Sequence, residues 1–263
     1  MARPVIALLT DFGSRDHYAG TMKAVILGIC PDVTLVDITH DIPPHDVLTG
    51  ALQLAASYRF FPAGTIFLVV VDPGVGSARR GIAADSGEYR IVAPDNGVLT
   101  AVLRESPARR LIEITERRYA RASVSRTFEG RDRFAPAAAW LAKGVDLSAL
   151  GRSAGPICQI PIPAPAVTDA CVLGEVLLVD RFGNLITNID RKLFDKFAHA
   201  SGIEITAGPH RIGRVVATYA EAAPEEVCAL FGSTDHLEIA VNAGSAGVRL
   251  DLTRGSPVTI RRL

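Results

Sequence analysis

Along its first half the chain sets short apolar runs against segments with helical spacing. Val5–Thr10 predicts a strand, and Tyr18–Ile29 a helix, because Ala19, Met22, Val25, Ile26 and Ile29 recur at helical intervals. Residues 34–38 predict a second strand, and residues 46–60 a second helix that stops before Pro62. The run 65–71 is β-branched at Thr65, Ile66, Val69, Val70 and Val71, which predicts a central strand covered on both faces. Gly81–Asp85 and residues 89–94 read as a hairpin around Ser86 and Gly87, with further helices at 98–104 and 134–143. The alternation predicts an α/β N-terminal domain with a mainly parallel sheet covered by helices.

The pattern changes near residue 156. Pro156, Pro161, Pro163 and Pro165 crowd together and favour an extended linker over a regular element. Beyond them strand-like pieces dominate, at 174–180, 185–189, 202–206, 211–217, 226–230, 236–241 and 257–261. Turn residues separate these pieces, as in Arg181-Phe182-Gly183-Asn184. The spacing predicts a smaller all-β, barrel-like C-terminal domain. The expected division is therefore 1–160 for the α/β domain, 161–170 for a Pro-rich linker and 171–263 for the barrel.

Composition narrows the function classes. The 263 residues carry 28 basic and 28 acidic side chains, so no basic excess points to nucleic acid or to an anionic membrane surface. A mean hydropathy of +0.25 would suit a membrane protein, yet no uncharged apolar stretch of about 18 residues is present. Asp11 and Arg15 arrive too early for a charged-then-apolar signal peptide. Cys30, Cys158, Cys171 and Cys228 form no Cys-x-x-Cys pair, and read as reduced side chains of a cytoplasmic protein. A small-molecule partner is the expectation, with no metal.

Five clusters carry candidate chemistry. Leu9-Thr10-Asp11-Phe12-Gly13 ends the first strand, where Asp11 is placed to accept from a ribose diol, to hold a cation or to cap a turn. Asp72-Pro73-Gly74-Val75-Gly76-Ser77-Ala78-Arg79 follows the most apolar strand. It matches neither a dinucleotide fingerprint nor a P-loop, and its Asp72 and Arg79 suit either a functional pair or a structural salt bridge. Residues 37–46 hold His40 and His45 among aspartates, as a metal cluster or as a loop bordering a pocket whose Asp46 caps a helix. Residues 127–136 form a dense polar stretch before a helix. Asp180-Arg181-Phe182-Gly183-Asn184 joins carboxylate, aromatic and amide at one turn, suited to a purine or to a plain β-turn.

In this order, with Pro94-Asp95-Asn96-Gly97 and residues 237–242 added, the clusters resemble the S-adenosyl-L-methionine hydroxide adenosyltransferases, relatives of fluorinases and chlorinases. The resemblance covers nearly the whole chain. It implies an α/β domain joined to a β-rich domain in a homotrimer, with the substrate between neighbouring subunits. It also implies cleavage of S-adenosylmethionine by water into adenosine and L-methionine, the sulfonium compound being substrate and no cofactor being needed. On the matching positions Asp11 grips the ribose, with Asp16 near and His45 beside the sugar. Phe182 and Asn184 meet the adenine, with backbone around Val241, Asn242 and Ala243. Asp180 and Ser233 hold the methionine end, Tyr219 encloses the ligand, and Phe128, Gly130 and Glu238 complete the substrate-binding set.

The catalytic residues implied are Asp72, Arg79 and Glu129. Asp72 orients water and takes its proton, while Arg79 fixes the carboxylate. The halogenating relatives carry an uncharged aromatic hydroxyl residue at the Asp72 position. A carboxylate there repels halide, so halide-dependent adenosyl transfer is disfavoured. One position departs from the family pattern. Where Thr-Phe-His-Gly-Arg-Asp is expected, this chain reads Thr127-Phe128-Glu129-Gly130-Arg131-Asp132. Glu129 suits a hydrogen-bond acceptor or a partner for Arg79, and the alternative it raises is a catalytically weak S-adenosylmethionine or adenosine sensor.

Overall fold

The computed structural model describes residues 3–198 and 202–263. It divides into two compact units, Met1–Pro161 and Ile162–Leu263. In the first unit the order is β1 (Val5–Thr10), α1 (Tyr18–Ile29), β2 (Thr34–Thr39), α2 (Val47–Ser57), β3 (Ile66–Val70), β4 (Gly81–Asp85), β5 (Arg90–Pro94), α3 (Thr100–Glu105), β6 (Arg110–Ile114), α4 (Ala135–Ala142) and β7 (Gly151–Ser153). Asp46 caps α2, its carboxylate accepting from the Thr49 N–H at 3.0 Å, as the sequence predicts.

Alternation along the central strands divides the core into two faces. Ile6 and Leu8 of β1 and Ile66, Leu68 and Val70 of β3 pack with Met22 and Ile26 of α1 and with α4. Ala7, Leu9, Phe67 and Val69 point the other way, toward Leu54 of α2 and Val102 of α3. Both faces of the sheet are thus buried.

The strand order is β2-β1-β3-β5-β4-β6-β7. Only β1–β2, β1–β3 and β3–β5 are parallel; β5–β4, β4–β6 and β6–β7 are antiparallel. The expectation of a mainly parallel sheet is therefore corrected to a mixed one. The cause is the β4–β5 hairpin, whose tight turn at Gly87 (φ +99°) forces an antiparallel return and inserts β4 between two strands that it opposes. From β1 the chain crosses through α1 to β2 on one side, then through α2 to β3 on the other. The order reverses between β1 and β3, and the carboxyl ends of such a pair are where open α/β sheets bind their ligands. Thr10 lies opposite Val70 there, so Asp11 and Asp72 leave the sheet as neighbours.

The second unit contains β8 (Ala166–Val167), β9 (Cys171–Val179), β10 (Leu185–Asp190), α5 (Arg191–Ala198), β11 (Ile203–Ala207), β12 (His210–Ile212), β13 (Val227–Phe231), β14 (His236–Val241), α6 (Ala246–Leu250) and β15 (Pro257–Arg262). Its sheet is antiparallel, in the order β12-β11-β15-β9-β10-β14-β13. The segment after β12 meets β13: the Val216 N–H donates to the Ala229 carbonyl, and the Ala229 N–H to that of Arg214, each at 2.9 Å. The sheet thus nearly closes into the expected barrel around Val172, Leu185, Ile239 and Ile260. The strand expected at 211–217 ends at Ile212, and only a bridge at Val215 continues it. β8 lies inside the stretch read as linker, pairing with Val172 and Leu173. No helix among the described residues is long and apolar enough to cross a membrane.

Candidate active site

The segment between β3 and β4 carries the densest charge. Arg79 turns back on Asp72, its Nε donating to Oδ1 at 2.7 Å and its Nη2 to Oδ2. The same Nη2 donates to Oε2 of Glu129. Arg133 holds the opposite oxygen of Glu129 through Nη1 at 2.7 Å, and its Nη2 donates to the Ile114 carbonyl at 2.6 Å. These groups are nearly dry, with side-chain exposures of 5% for Asp72, 8% for Arg79 and 11% for Glu129. Phe134 lies under the Arg79 guanidinium, 5.2 Å from Cζ to the ring centre. One donor remains over: Arg79 Nη1 is buried without a hydrogen-bond partner. In a cluster so fully paired, a lone buried donor marks a place where a water or substrate atom can accept.

A π-type turn, Gly130–Phe134, places Glu129. It sits directly before α4 and makes room for two side chains to point inward. Asp132 is fully buried, gripped by Arg131 Nε at 2.6 Å and Nη2 at 2.7 Å and by the Ser125 N–H at 2.8 Å. Burial raises the Asp132 pKa, but the Arg131 hydrogen bonds and the Ser125 N–H outweigh it and hold the carboxyl below its ordinary range. Gly130 is needed for packing: a Cβ there would stand 3.3 Å from both Met22 Sδ and Val70 Cγ1.

At the end of β1, Asp11 Oδ2 accepts the His45 N–H at 2.8 Å, and His45 has a left-handed backbone (φ +67°). The buried Thr10 hydroxyl shares a 2.8 Å bond with His40 Nδ1, and Asp37 and Lys23 extend that chain outward. His40 also accepts the Gly13 N–H on its carbonyl at 2.7 Å. The histidines of 37–46 thus brace the Asp11 loop, and no group of three or more His, Cys, Asp or Glu among the described residues could hold a metal ion. Phe128 meets Phe12 and Tyr18 edge-on, at 5.8 and 5.2 Å between ring centres, forming an aromatic wall. Asp16 is exposed in the loop before α1.

In the second unit Asp180 organises its own turn. Oδ1 accepts the N–H groups of Phe182 (2.9 Å) and Asn184 (2.8 Å), and Oδ2 accepts the Asn184 amide at 2.9 Å. Gly183 (φ +87°) lies against Ser245, the cap of α6, where a Cβ would collide. Held this way, Phe182 stands out with 76% exposure. The Tyr219 hydroxyl donates to the buried Glu238 at 3.0 Å. Burial and Glu238 push Tyr219 up to about 12, and burial also raises Glu238. Asn242 donates its amide to the Ala222 carbonyl at 2.7 Å, beside the buried Val241 and the left-handed Ala243 (φ +61°). Ser233 is exposed in the turn between β13 and β14.

Three sets of sequence-predicted residues are therefore brought together: Asp72 with Arg79 and Glu129, Asp11 with His45, and Asp180 with Phe182, Asn184, Tyr219 and Glu238. Arg133, Phe134, His40 and Phe12 lie inside the clusters read from the sequence, but none was given its partner there. Spacing alone offers a signal only for Arg133, four residues beyond Glu129.

Comparison with known proteins gives two family models, the SAM hydroxide adenosyltransferase N-terminal domain over residues 6–151 and its C-terminal domain over 174–259. The chain is 38% identical to an (R)-S-adenosyl-L-methionine hydrolase of Thermus thermophilus, covering 98% of this chain and 99% of the relative. It is 36% identical to another of that name from Salinispora tropica, over 98% and 97%. The crystal structure of an uncharacterized conserved protein from Thermotoga maritima superposes with a TM-score of 0.92 at 37% identity, covering 98% of this chain and all of that one.

Proposed function

Since the chain belongs to the SAM hydroxide adenosyltransferase family, we infer that it hydrolyses S-adenosyl-L-methionine to adenosine and L-methionine. Water attacks C5′ as the C5′–S bond breaks. The electron pair leaves with sulfur as neutral methionine thioether, and the proton of water passes to the protein and then to solvent. Full-length relatives named for this hydrolysis support the reading.

The observation that carries the mechanism is the dry Asp72–Arg79–Glu129 cluster with its one unpartnered donor, at the carboxyl end of β3. Water is a weak nucleophile unless oriented and relieved of a proton. Asp72 takes that proton; its oxygens, each engaged once by Arg79, keep free lone pairs for a water hydrogen. Arg79 Nη1 donates to no protein group and so is left to fix the water by donating to its oxygen. Positive charge disperses as the sulfonium becomes a thioether, so a dry site with paired charges favours the transition state over the ground state. Asp11 suits the ribose hydroxyls. Phe182 and Asn184 suit the adenine, and Asp180 and Ser233 the amino-acid end, with Tyr219 enclosing it. No cofactor or metal enters this scheme.

We extend the proposal to assembly: a homotrimer in a reducing cytoplasm, each site drawing the Asp72 cluster from one subunit and the Asp180 cluster from another. An aromatic side chain left standing in solvent, Phe182, supports this, as do four cysteines that are all free thiols. Incubation with S-adenosylmethionine in heavy-oxygen water tests the activity. Adenosine and methionine in equal amounts, with the label in the adenosine 5′-hydroxyl, is the expected result. Substrate bound but returned intact would overturn it in favour of a sensor, and a chlorinated nucleoside in chloride buffer in favour of halide transfer.

A further inference from the structure

Glu129 stands where the family resemblance leads to histidine, and the structure gives it two donors that the single acceptor of a neutral imidazole could not serve at once. One oxygen of Glu129 takes Arg79 Nη2, and the other takes Arg133 Nη1 at 2.7 Å. Each guanidinium is tied to a second acceptor, Arg79 through Nε and Nη2 to Asp72 and Arg133 through Nη2 to the Ile114 carbonyl of β6. The carboxylate is thus a bridge between two anchored arginines. We propose that Arg133 is a positioning residue for the hydrolysis, and that Glu129 and Arg133 act as one unit in place of the expected histidine. This rests on the hydrolase reading above.

Charge and reach carry the argument. Asp72 and Glu129 supply two negative charges and Arg79 and Arg133 two positive ones, so the cluster is neutral as it stands. Histidine at position 129 would leave two guanidinium groups, at 8% and 24% side-chain exposure, facing a single carboxylate. A buried charge that loses its partner is strongly unfavourable. Glutamate without Arg133 would leave a net negative charge and free Glu129 to swing, carrying Arg79 and its unpartnered Nη1 with it. Neither change alone restores a working geometry; both together do, because an uncharged residue at 133 then faces a neutral ring at 129.

The test compares the full-length wild type with Glu129→His, Arg133→Gln, Arg133→Lys and the Glu129→His/Arg133→Gln double variant, reading kcat and KM with S-adenosylmethionine. Arg133→Gln is expected to lower kcat by about tenfold or more with little change in KM, as a misplaced catalytic group does. Arg133→Lys keeps part of that loss back, which also covers the case where Arg133→Gln fails to fold. Glu129→His alone lowers turnover, and the double variant exceeds it. The proposal is overturned if Glu129→His outperforms the wild type, if the two changes simply multiply, or if Arg133→Gln lowers the melting temperature and leaves kcat intact. A wild type that releases no adenosine fails the hydrolase reading itself, and Arg133 then has no reaction to serve.

Discussion

Asp72 is asked for two things at once: to hold the Arg79 fork in a nearly dry place and to keep a lone pair for water. The fork engages each oxygen once, so the first demand does not exhaust the second. Asp72→Asn preserves shape and one acceptor but removes the base, so kcat should fall by about a hundredfold or more, with KM much less affected. Rapid-quench measurement of adenosine release checks it, and an unchanged kcat would remove Asp72 from the chemistry. Tyr219 offers a reading independent of activity. Burial first, then the Glu238 hydrogen bond and charge, lift its pKa from 10.0 to about 12. The raised value means that the fold favours the neutral phenol. That contribution is whole below pH 10 and is lost as pH rises through about 12. An absorbance titration should show one tyrosine ionising near 12 that vanishes in Tyr219→Phe and shifts down in Glu238→Gln.

Among the elements, the π-type turn and α4 connect stability with chemistry. Gly81 opens β4 directly above Phe134, where a Cβ would come within 2.5 Å of Cε1, and Phe134 carries the Arg79 guanidinium. Gly81→Ala should therefore cost about 1–3 kcal/mol in urea unfolding at constant m-value, and lower kcat as well. Loss of stability with full activity would show that Phe134 does not seat Arg79. Elements such as β1, α1 and β14 were legible to the residue, because each buries a periodic apolar set that local sequence displays. β6 was not: Arg110-Leu111-Ile112-Glu113-Ile114 is short and charged, and becomes a strand only because β4 and β7 flank it. The hairpin of β4 and β5 was readable, but the place of β4 between β5 and β6 was not, since pairing order is a property of the whole sheet. Likewise α5 hides behind Asp190-Arg191-Lys192, and its apolar face emerges when Phe194 and Phe197 enter the barrel core with Leu193 and Ala198 against it. In the site, acidic and aromatic types were readable from motif order. Which arginine partners which carboxylate was not, because that depends on a turn of non-standard width.

For the whole molecule, the proposal of shared sites makes a prediction that no single chain can satisfy. Asp72→Ala and Asp180→Ala variants should each be inactive, yet assemble on co-expression into trimers in which about a quarter of the sites hold both native carboxylates. Activity regained by the mixture supports sites built from two subunits; none at any ratio means that each subunit works alone. The strand order has one more consequence. β3 and β4 are separated by β5, so the segment leaving β3 at Asp72 and entering β4 after Arg79 must span two strand spacings, about 10 Å. The framework thereby acts as a caliper: the sheet sets the gap between the strand ends from which base and guanidinium depart, and the intervening turn is pinned across it, the Arg79 N–H donating to Ser77 Oγ at 3.2 Å and the Gly76 carbonyl accepting from Arg126 Nη2 at 3.1 Å. An insertion there would leave the strands where they are yet unseat the guanidinium, so a lineage drifting by added length at this turn loses the jaw before it loses the frame.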